Sequence, residues 1–216
     1  NIPDILLVDL SQLDKLPPIN LPDEKLAFAI KRFDRDQNKR IHTEDFAQVL
    51  VKYPHEKYNA ANYEQIAKVL YQFSGEGLAD VQQLARRLLV NILLANGDAH
   101  LKNWSLLYKD HYTPTLSPAY DIVTTHVYIE NETQYALNLG KNKAWFNDTT
   151  KHFQIWANKS GIPWRTIRPH LDDTLERARS LWPSALENLP MDEAHKDKLK
   201  IHWRNLKKDF RIESNK

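Results

Sequence analysis

The segment of residues 80–96 places apolar side chains at helical spacing over an unusually broad face. The members of that face are Val81, Leu84, Ala85, Leu88, Leu89, Ile92, Leu93 and Ala95. A helix that is apolar this far round its axis has to be buried on most sides. Asp80, with Gln83 three residues later, resembles a capping box at its start. We therefore predict a helix at the centre of the core, which ends at Gly97 and leads into a loop.

That loop carries side chains suited to phosphoryl transfer. Asp98 and Asn103 stand five residues apart, with His100 and Lys102 between them, and Asp121 follows further along. A carboxylate can orient or deprotonate an attacking hydroxyl, while an amide oxygen and a second carboxylate hold Mg²⁺ and a lysine offsets phosphate charge. Mg²⁺ needs only one or two protein ligands beside phosphate and water. We predict Asp98 and Lys102 as catalytic residues, and Asn103 and Asp121 as Mg²⁺ ligands beneath ATP.

Protein kinases use a similar spacing, with an asparagine five residues after the catalytic base and a later aspartate on the metal. The details differ here. No His-Arg-Asp triplet is present, the lysine stands four residues after Asp98, and Tyr120-Asp121-Ile122 replaces Asp-Phe-Gly. An ordinary turn at the end of a helix explains Asn-Gly-Asp equally well when Asp98 is taken alone. Its combination with Asn103 and Asp121 favours the functional interpretation.

Three blocks of the chain resemble the HipA-like serine/threonine kinases, a family that includes bacterial toxin–antitoxin toxins. They are residues 29–50, 91–108 and 116–125, and weaker similarity extends over about residues 26 to 180. The resemblance implies an α+β, mainly α fold, the large C-terminal lobe of a protein kinase with a remnant of small-lobe strands. It also implies Mg²⁺-dependent transfer of the ATP γ-phosphate to a protein serine or threonine, autophosphorylation, an antitoxin partner and an aminoacyl-tRNA synthetase as substrate.

The resemblance also implies individual roles. It makes Asp98 the catalytic aspartate, sets His100 and Lys102 near the phosphates and Tyr120 beside the nucleotide, and makes residues 31–33 a hinge strand at the adenine. The residues then expected at ATP are Lys31, Arg32, Phe33, His100, Lys102, Asn103, Tyr120 and Asp121. The ordinary alternatives are a packed histidine, a solvated lysine, a core tyrosine and an edge strand.

The same resemblance divides the chain into residues 1–33, small-lobe strands and hinge, and residues 34–216, the helical C-terminal lobe. Residues 5–10 and 25–33 have the apolar pattern of strands. None of the five glycines forms a phosphate-binding loop after a strand. No upstream ATP-binding lysine is evident either. We therefore expect a longer parent protein, in which a missing N-terminal kinase segment grips the phosphates, and weak ATP binding by this chain alone.

A competing interpretation concerns residues 34–45, which imitate an EF-hand calcium loop. The matching residues, at positions 1, 3 and 5, are Asp34, Asp36 and Asn38. Residues 27–33 and 44–50 would be the flanking helices. Positions 6 and 12, which need glycine and glutamate, hold Lys39 and Asp45. We favour a polar turn between strand and helix, and keep a non-catalytic helical binding module, a calcium binder or pseudokinase scaffold, as the alternative function.

Periodicity predicts the remaining elements. The predicted helices are residues 43–51, 60–73, 149–160, 163–180 and 191–210, and the predicted hairpins lie at 104–116 and at 127–139 with a turn at Glu130–Glu132. Five tryptophans in the C-terminal part predict a packed helical subdomain.

Composition limits the function further. The chain has 216 residues, 30 basic and 28 acidic, with a net charge of +2, which gives no electrostatic case for direct nucleic-acid binding. No apolar run approaches the ~20 residues of a membrane span. The absence of cysteine fits a cytoplasmic protein.

Overall fold

The computed structural model describes residues 2–16, 18, 25–37, 39–58 and 60–213. More of these residues lie in helices than in strands. The helices are α1 (Phe46–Val49), α2 (Tyr63–Phe73), α3 (Gly77–Leu93), α4 (Thr150–Lys159), α5 (Trp164–Glu187) and α6 (Glu193–Asn205). The strands are β1 (Ile5–Asp9), β2 (Leu26–Ile30), β3 (Arg35–Asp36), β4 (Lys39–Arg40), β5 (His42–Asp45), β6 (Ser105–Tyr108), β7 (Thr115–Leu116), β8 (Gln134–Leu139) and β9 (Asn142–Ala144). The α+β, mainly helical prediction is confirmed.

Helix α3 is the centre of the core, as its sequence predicted. It packs between α2 and α5, and Leu84, Ala85 and Leu89 are completely buried. The helix starts at Gly77, so the capping box predicted at Asp80 is wrong. The buried Asp80 carboxylate instead accepts hydrogen bonds from Ser74 Oγ at 2.5 Å and from the Leu116 backbone N–H at 2.7 Å. These bonds tie the start of the core helix to β7.

The end of α3 also differs from the prediction, because the helix stops at Leu93 and not at Gly97. Ala95 takes a left-handed backbone conformation with φ of 53°. Its N–H donates to Ile92 O and the next N–H, of Asn96, donates to Asn91 O. This pair of bonds is a Schellman motif, which usually has glycine at the left-handed position. The loop that leads to Asp98 therefore begins three residues earlier than expected.

The C-terminal helices form the packed subdomain that the tryptophans predicted. Trp145, Trp156 and Trp203 are buried. The indole N–H of Trp156 donates to Tyr63 O and that of Trp203 donates to Leu93 O. These two bonds attach α4 to α2 and α6 to the end of α3.

The strands form small antiparallel sheets, ordered β1–β2, β3–β4, β5–β6–β7 and β8–β9. The hairpin predicted at 127–139 is wrong, because residues Thr125–Val127 form a 3-10 turn and β8 pairs with the strand that follows it. The observed hairpin of β8 and β9 has the two-residue turn Gly140-Lys141, with φ of 57° and 75°. Positive φ at both central positions matches the right-handed twist of paired strands.

The EF-hand interpretation is wrong for the residues that the structure describes. Residues 26–30 are the strand β2, and β3 pairs with β4 across the supposed loop, so the first flanking helix is not formed. The helix predicted from residue 43 begins only at Phe46, where Asp45 caps the N–H of Gln48. Asn38 lies outside the described residues. Among the described helices, none is both long and apolar enough to cross a membrane.

Candidate active site

The loop after α3 is held to that helix by two buried amides. Asn96 Nδ2 donates to Asn91 Oδ1 at 2.7 Å, and Asn96 Oδ1 accepts from the backbone N–H of Asp98 at 3.0 Å. Both asparagines are almost fully buried. Sequence reasoning missed these two residues, although an amide at position 91 in an otherwise apolar helix face was a usable signal.

Gly97 is packed against Glu132. A Cβ atom at position 97 would lie 2.2 Å from Glu132 Oε1. That carboxylate accepts a hydrogen bond from Thr125 Oγ1 at 2.6 Å, and Thr125 Oγ1 in turn accepts from the Gly97 N–H at 2.7 Å. Burial raises the pKa of Glu132. A side chain at position 97 would therefore have to displace the Glu132 carboxylate, and the sequence did not predict Glu132 as the neighbour of Gly97.

Asp98 lies at the loop surface with 44% of its side chain exposed. Its Oδ1 accepts a hydrogen bond of 2.5 Å from the hydroxyl of Tyr58 and lies 3.9 Å from His100 Nε2. The ring of Tyr58 meets the His100 ring edge-on, with 5.1 Å between centroids. Burial lowers the pKa of His100, which favours its neutral form. Tyr58 was not among the predicted site residues, since it stands 40 positions before Asp98.

Asn103 and Asp121, predicted as metal ligands, are brought together. Asn103 Nδ2 donates to Asp121 Oδ2 at 2.5 Å. The amide is buried, and within the described residues its Oδ1 has no hydrogen-bond partner. An unpaired amide oxygen beside an exposed carboxylate suits a hard cation. No cluster of three or more His, Cys, Asp or Glu side chains that could hold a metal occurs among the described residues. Mg²⁺ commonly takes one or two ligands from the protein and the others from phosphate and water.

Tyr120 connects the predicted nucleotide residues. Its hydroxyl donates to Lys102 O at 2.8 Å and lies 2.6 Å from Ser105 Oγ. Its ring lies 5.6 Å from the ring of Phe33. Burial raises the pKa of Tyr120 to about 12, so the hydroxyl stays protonated. The side chain of Lys102 is exposed.

The predicted hinge strand is not a strand, because β2 ends at Ile30 and residues 31–33 form an extended link and a turn. The Lys31 side chain lies 3.4 Å from Asp4, and Arg32 pairs with both carboxylate oxygens of Asp34. Hydrogen bonding to Arg32 lowers the pKa of Asp34 to about 2. Of the three, Phe33 is the residue whose side chain contacts a predicted site residue.

A cleft of about 640 Å³ separates the β1–β2 hairpin from the segment 119–123. Ile5, Phe28 and Ile30 line one side, and Tyr120 and Asp121 lie on the other. An apolar cleft with a carboxylate at its rim can take a flat aromatic base whose polar end reaches the carboxylate. The three hairpin residues were missed as ligand contacts, although pairing of Ile5 with Ile30 places large apolar groups on one face.

Comparison with known proteins identifies the same architecture. The sequence profile of the HipA-like C-terminal domain matches residues 8–182. "Putative kinase Y4dM" of Sinorhizobium fredii is 40% identical over 202 residues, which cover 94% of this chain and 49% of that protein. A "Putative kinase" of Haemophilus influenzae is 38% identical over 125 residues, or 54% of this chain and 36% of that protein. The chain thus spans about half, or less, of the curated relatives it matches.

Two solved structures share the fold. The toxin HipA of Shewanella oneidensis, solved in complex with HipB and operator DNA, superposes with a TM-score of 0.73 at 19% identity, covering 95% of this chain and 52% of that one. The proinflammatory kinase CtkA of Helicobacter pylori gives a TM-score of 0.55 at 16% identity, covering 97% of this chain and 74% of that one. The family match, the kinase-like fold and the predicted resemblance agree, and the chain belongs to the HipA-like kinase family.

Proposed function

We propose that this chain is the catalytic C-terminal part of a serine/threonine protein kinase that uses ATP and Mg²⁺. The observation that carries the proposal is the 2.5 Å contact between Asn103 and Asp121, at the rim of an apolar cleft and after the loop of Asp98. This arrangement supports phosphoryl transfer, because it combines a base, a cation site with two protein ligands and a cleft that can take a purine.

Asp98 acts as the base in this proposal. Its carboxylate is exposed and already accepts a hydrogen bond from one hydroxyl, that of Tyr58. The acceptor oxygen forms its bond to the γ-phosphorus as the bond from phosphorus to the ADP oxygen breaks, and its proton passes to Asp98. General base assistance of this kind contributes about 10²- to 10⁴-fold in rate.

The remaining candidate residues would bind the metal ion and offset the negative charge of the phosphates. Asn103 and Asp121 would hold Mg²⁺, which when bound neutralises charge on the triphosphate. Lys102 offsets charge on the transferred group, and neutral His100 can share a proton with a phosphate oxygen. These roles follow the family resemblance residue by residue, and the exposure of Lys102 leaves its side chain accessible to a ligand.

The cleft beside the β1–β2 hairpin is the proposed nucleotide site. Phe33 contacts Tyr120, which lines this cleft, and residues 31–33 would form the hinge. Because Lys31 and Arg32 pair with carboxylates, we propose that their backbone, and not their side chains, meets the adenine.

We propose that residues 1–33 are part of the small lobe and residues 34–216 the large lobe, with the rest of the small lobe supplied by an upstream segment. The β1–β2 hairpin supports this, since Leu7 and Phe28 are 48% and 63% exposed on a sheet of two described strands. Such a hairpin is marginally stable alone. ATP should bind this chain more weakly than the chain joined to that segment, as measured by calorimetric titration. Equal affinities would refute this division.

An antitoxin partner is the proposed regulator, since the structural neighbour HipA was solved with HipB. An aminoacyl-tRNA synthetase as substrate, autophosphorylation and a cytoplasmic location remain proposals from the family resemblance. Pull-down of a co-expressed protein encoded beside this chain would test the first of these.

The kinase proposal is tested by transfer of labelled phosphate from ATP to protein, using the chain joined to its native upstream segment. Asp98→Asn should lower transfer at least ~10²-fold, the size of a lost general base, while circular dichroism stays unchanged. Asp172→Asn, at an exposed ion pair on α5, is the matched control and should transfer like wild type. No transfer by folded wild-type protein would favour the pseudokinase scaffold.

A further inference from the structure

The hydroxyl of Tyr58 occupies the position on Asp98 that a phosphate acceptor needs. A base must lie within about 2.6–3.2 Å of the oxygen whose proton it takes, and Tyr58 donates to Asp98 Oδ1 at 2.5 Å. This oxygen of Asp98 is therefore already engaged by a hydroxyl of the same chain. A serine or threonine hydroxyl that approaches Oδ1 therefore competes with Tyr58 for this oxygen.

Two contacts hold Tyr58 and its neighbour Lys57 over the catalytic loop, and a third joins these two residues to each other. The backbone N–H of Leu101 donates to Lys57 O at 3.3 Å. The Tyr58 ring meets the His100 ring edge-on, and Lys57 Nζ lies 4.8 Å from the centre of the Tyr58 ring. The catalytic loop and the segment before α2 thus form one surface, with Lys57, Tyr58 and His100 around the exposed carboxylate of Asp98.

Tyr58 can nevertheless leave Asp98 without disturbing the core. Its side chain is 37% exposed, unlike Tyr63 in the next helix, which is 2% exposed. The described contacts of Tyr58 are with the partly exposed Asp98, the half-buried Lys57 and the buried ring of His100. A rotation of the Tyr58 side chain would break one charge-assisted hydrogen bond and two ring contacts while leaving the buried residues in place.

We propose that Lys57, Tyr58 and His100 form the acceptor subsite of this kinase, and that Tyr58 is a gate whose hydroxyl must be displaced from Asp98 by the acceptor hydroxyl. This inference rests on the proposed function, because it assumes that Asp98 is the base. The closed form lowers the apparent affinity for an acceptor in proportion to the fraction of open molecules. A short acceptor or a water molecule then competes poorly with the Tyr58 hydroxyl for Asp98. A protein acceptor that makes further contacts with the subsite is therefore favoured.

The test compares Tyr58→Phe with Tyr53→Phe in the chain joined to its native upstream segment. Phenylalanine keeps the ring contacts and removes only the hydroxyl, and Tyr53 is a matched control at 71% exposure in the same segment. With dephosphorylated casein as acceptor, we expect Tyr58→Phe to lower KM about tenfold at unchanged kcat, the size of a charged hydrogen bond in an equilibrium. ATP hydrolysis without acceptor should rise several-fold. Tyr53→Phe should change neither.

Unchanged KM and unchanged ATP hydrolysis in Tyr58→Phe would overturn the gate, and so would a fall in kcat, which would make Tyr58 a positioning residue. Phosphate found on Tyr58 by mass spectrometry would also overturn it, because Tyr58 would then be an acceptor. The contact has a readout that is independent of activity: Asp98→Asn should lower the pH at which Tyr58 itself ionises, followed through the NMR signals of its ring. If the wild-type protein neither transfers phosphate nor hydrolyses ATP, the kinase proposal itself fails. If the wild-type protein is active but Tyr58→Phe leaves the KM for the acceptor unchanged, only the gate is refuted.

Discussion

Asn103 and Asp121 are joined by a 2.5 Å hydrogen bond from Nδ2 to Oδ2, although they stand 18 positions apart and belong to different loops. The bond crosses from the turn after the catalytic loop to the segment after β7. Asp121 takes a left-handed φ of 55° there, which directs the chain past the cleft. The proposed cation site of two protein oxygens therefore depends on one unusual backbone position.

Asp121→Asn should preserve the fold and weaken the use of Mg²⁺. Asparagine tolerates positive φ better than most residues, and its amide oxygen can still accept from Asn103. Loss of the anionic ligand should raise the Mg²⁺ concentration for half-maximal transfer about tenfold or more. Titration of the transfer rate with MgCl₂, beside a thermal melt, measures both effects. An unaltered Mg²⁺ dependence would remove Asp121 from the metal site.

Gly97→Ala should impair transfer more than stability, because its Cβ would displace the Glu132 carboxylate and so disturb Thr125, which binds Glu132 and accepts from the N–H of residue 97 next to Asp98. We expect a loss of at least about tenfold in kcat, since small displacements of catalytic groups have large effects on rate. The double variant Gly97→Ala with Glu132→Ala removes the obstructing carboxylate. It should recover much of that loss relative to Glu132→Ala alone. Additive effects in this double-mutant cycle would contradict the proposed overlap.

Asp148 should make stability fall as pH rises. The side chain is completely buried, and burial raises the pKa of its carboxyl from 3.8 to about 8. Between these two values the folded protein keeps a proton that the unfolded chain has released. The free energy of unfolding therefore decreases with pH across this window, by up to about 1.4 kcal/mol per unit, and is level above it.

Asp148→Asn removes this titration while an amide oxygen can still accept from Asn142 Nδ2, as Oδ1 of Asp148 does at 2.9 Å. Urea unfolding at acid and mildly alkaline pH should show a flatter dependence in the variant and greater stability than wild type at the alkaline end. Parallel pH profiles of the two proteins would show that Asp148 is ionised in the folded state.

Asp80→Ala should destabilise the protein by about 2–3 kcal/mol, because the Leu116 N–H and the Ser74 hydroxyl would lose a charged acceptor in a largely buried site. Asp172→Ala is the matched comparison. It breaks an exposed pair with Arg168 at 3.5 Å, and we expect a change within about 0.5 kcal/mol. Chemical denaturation of both variants measures these differences, and equal effects would show that the Asp80 bonds contribute little.

The candidate catalytic residues could be grouped from sequence because their relationship is short-range. His100, Lys102 and Asn103 follow Asp98 within one loop, and that loop had to follow a helix too apolar to lie anywhere but in the core. The hinge strand and the second hairpin were predicted incorrectly. Residues 25–33 alternate only in part, since Lys31 and Arg32 are both charged, and β2 accordingly ends at Ile30. Strand β8 pairs with the strand after it because Gly140 and Lys141 adopt positive φ.

The sequence by itself determined the kinase-like family, the core helix and the order of the candidate catalytic groups, since periodicity and loop spacing are local properties of the chain. The tertiary structure alone decided that Tyr58 donates to Asp98, that Glu132 supports Gly97, and that Phe28 faces the cleft. These contacts join residues tens of positions apart. Packing, and the need of buried polar groups for hydrogen bonds, decide which residues meet in such contacts. The spacing of residues within a single segment does not predict them.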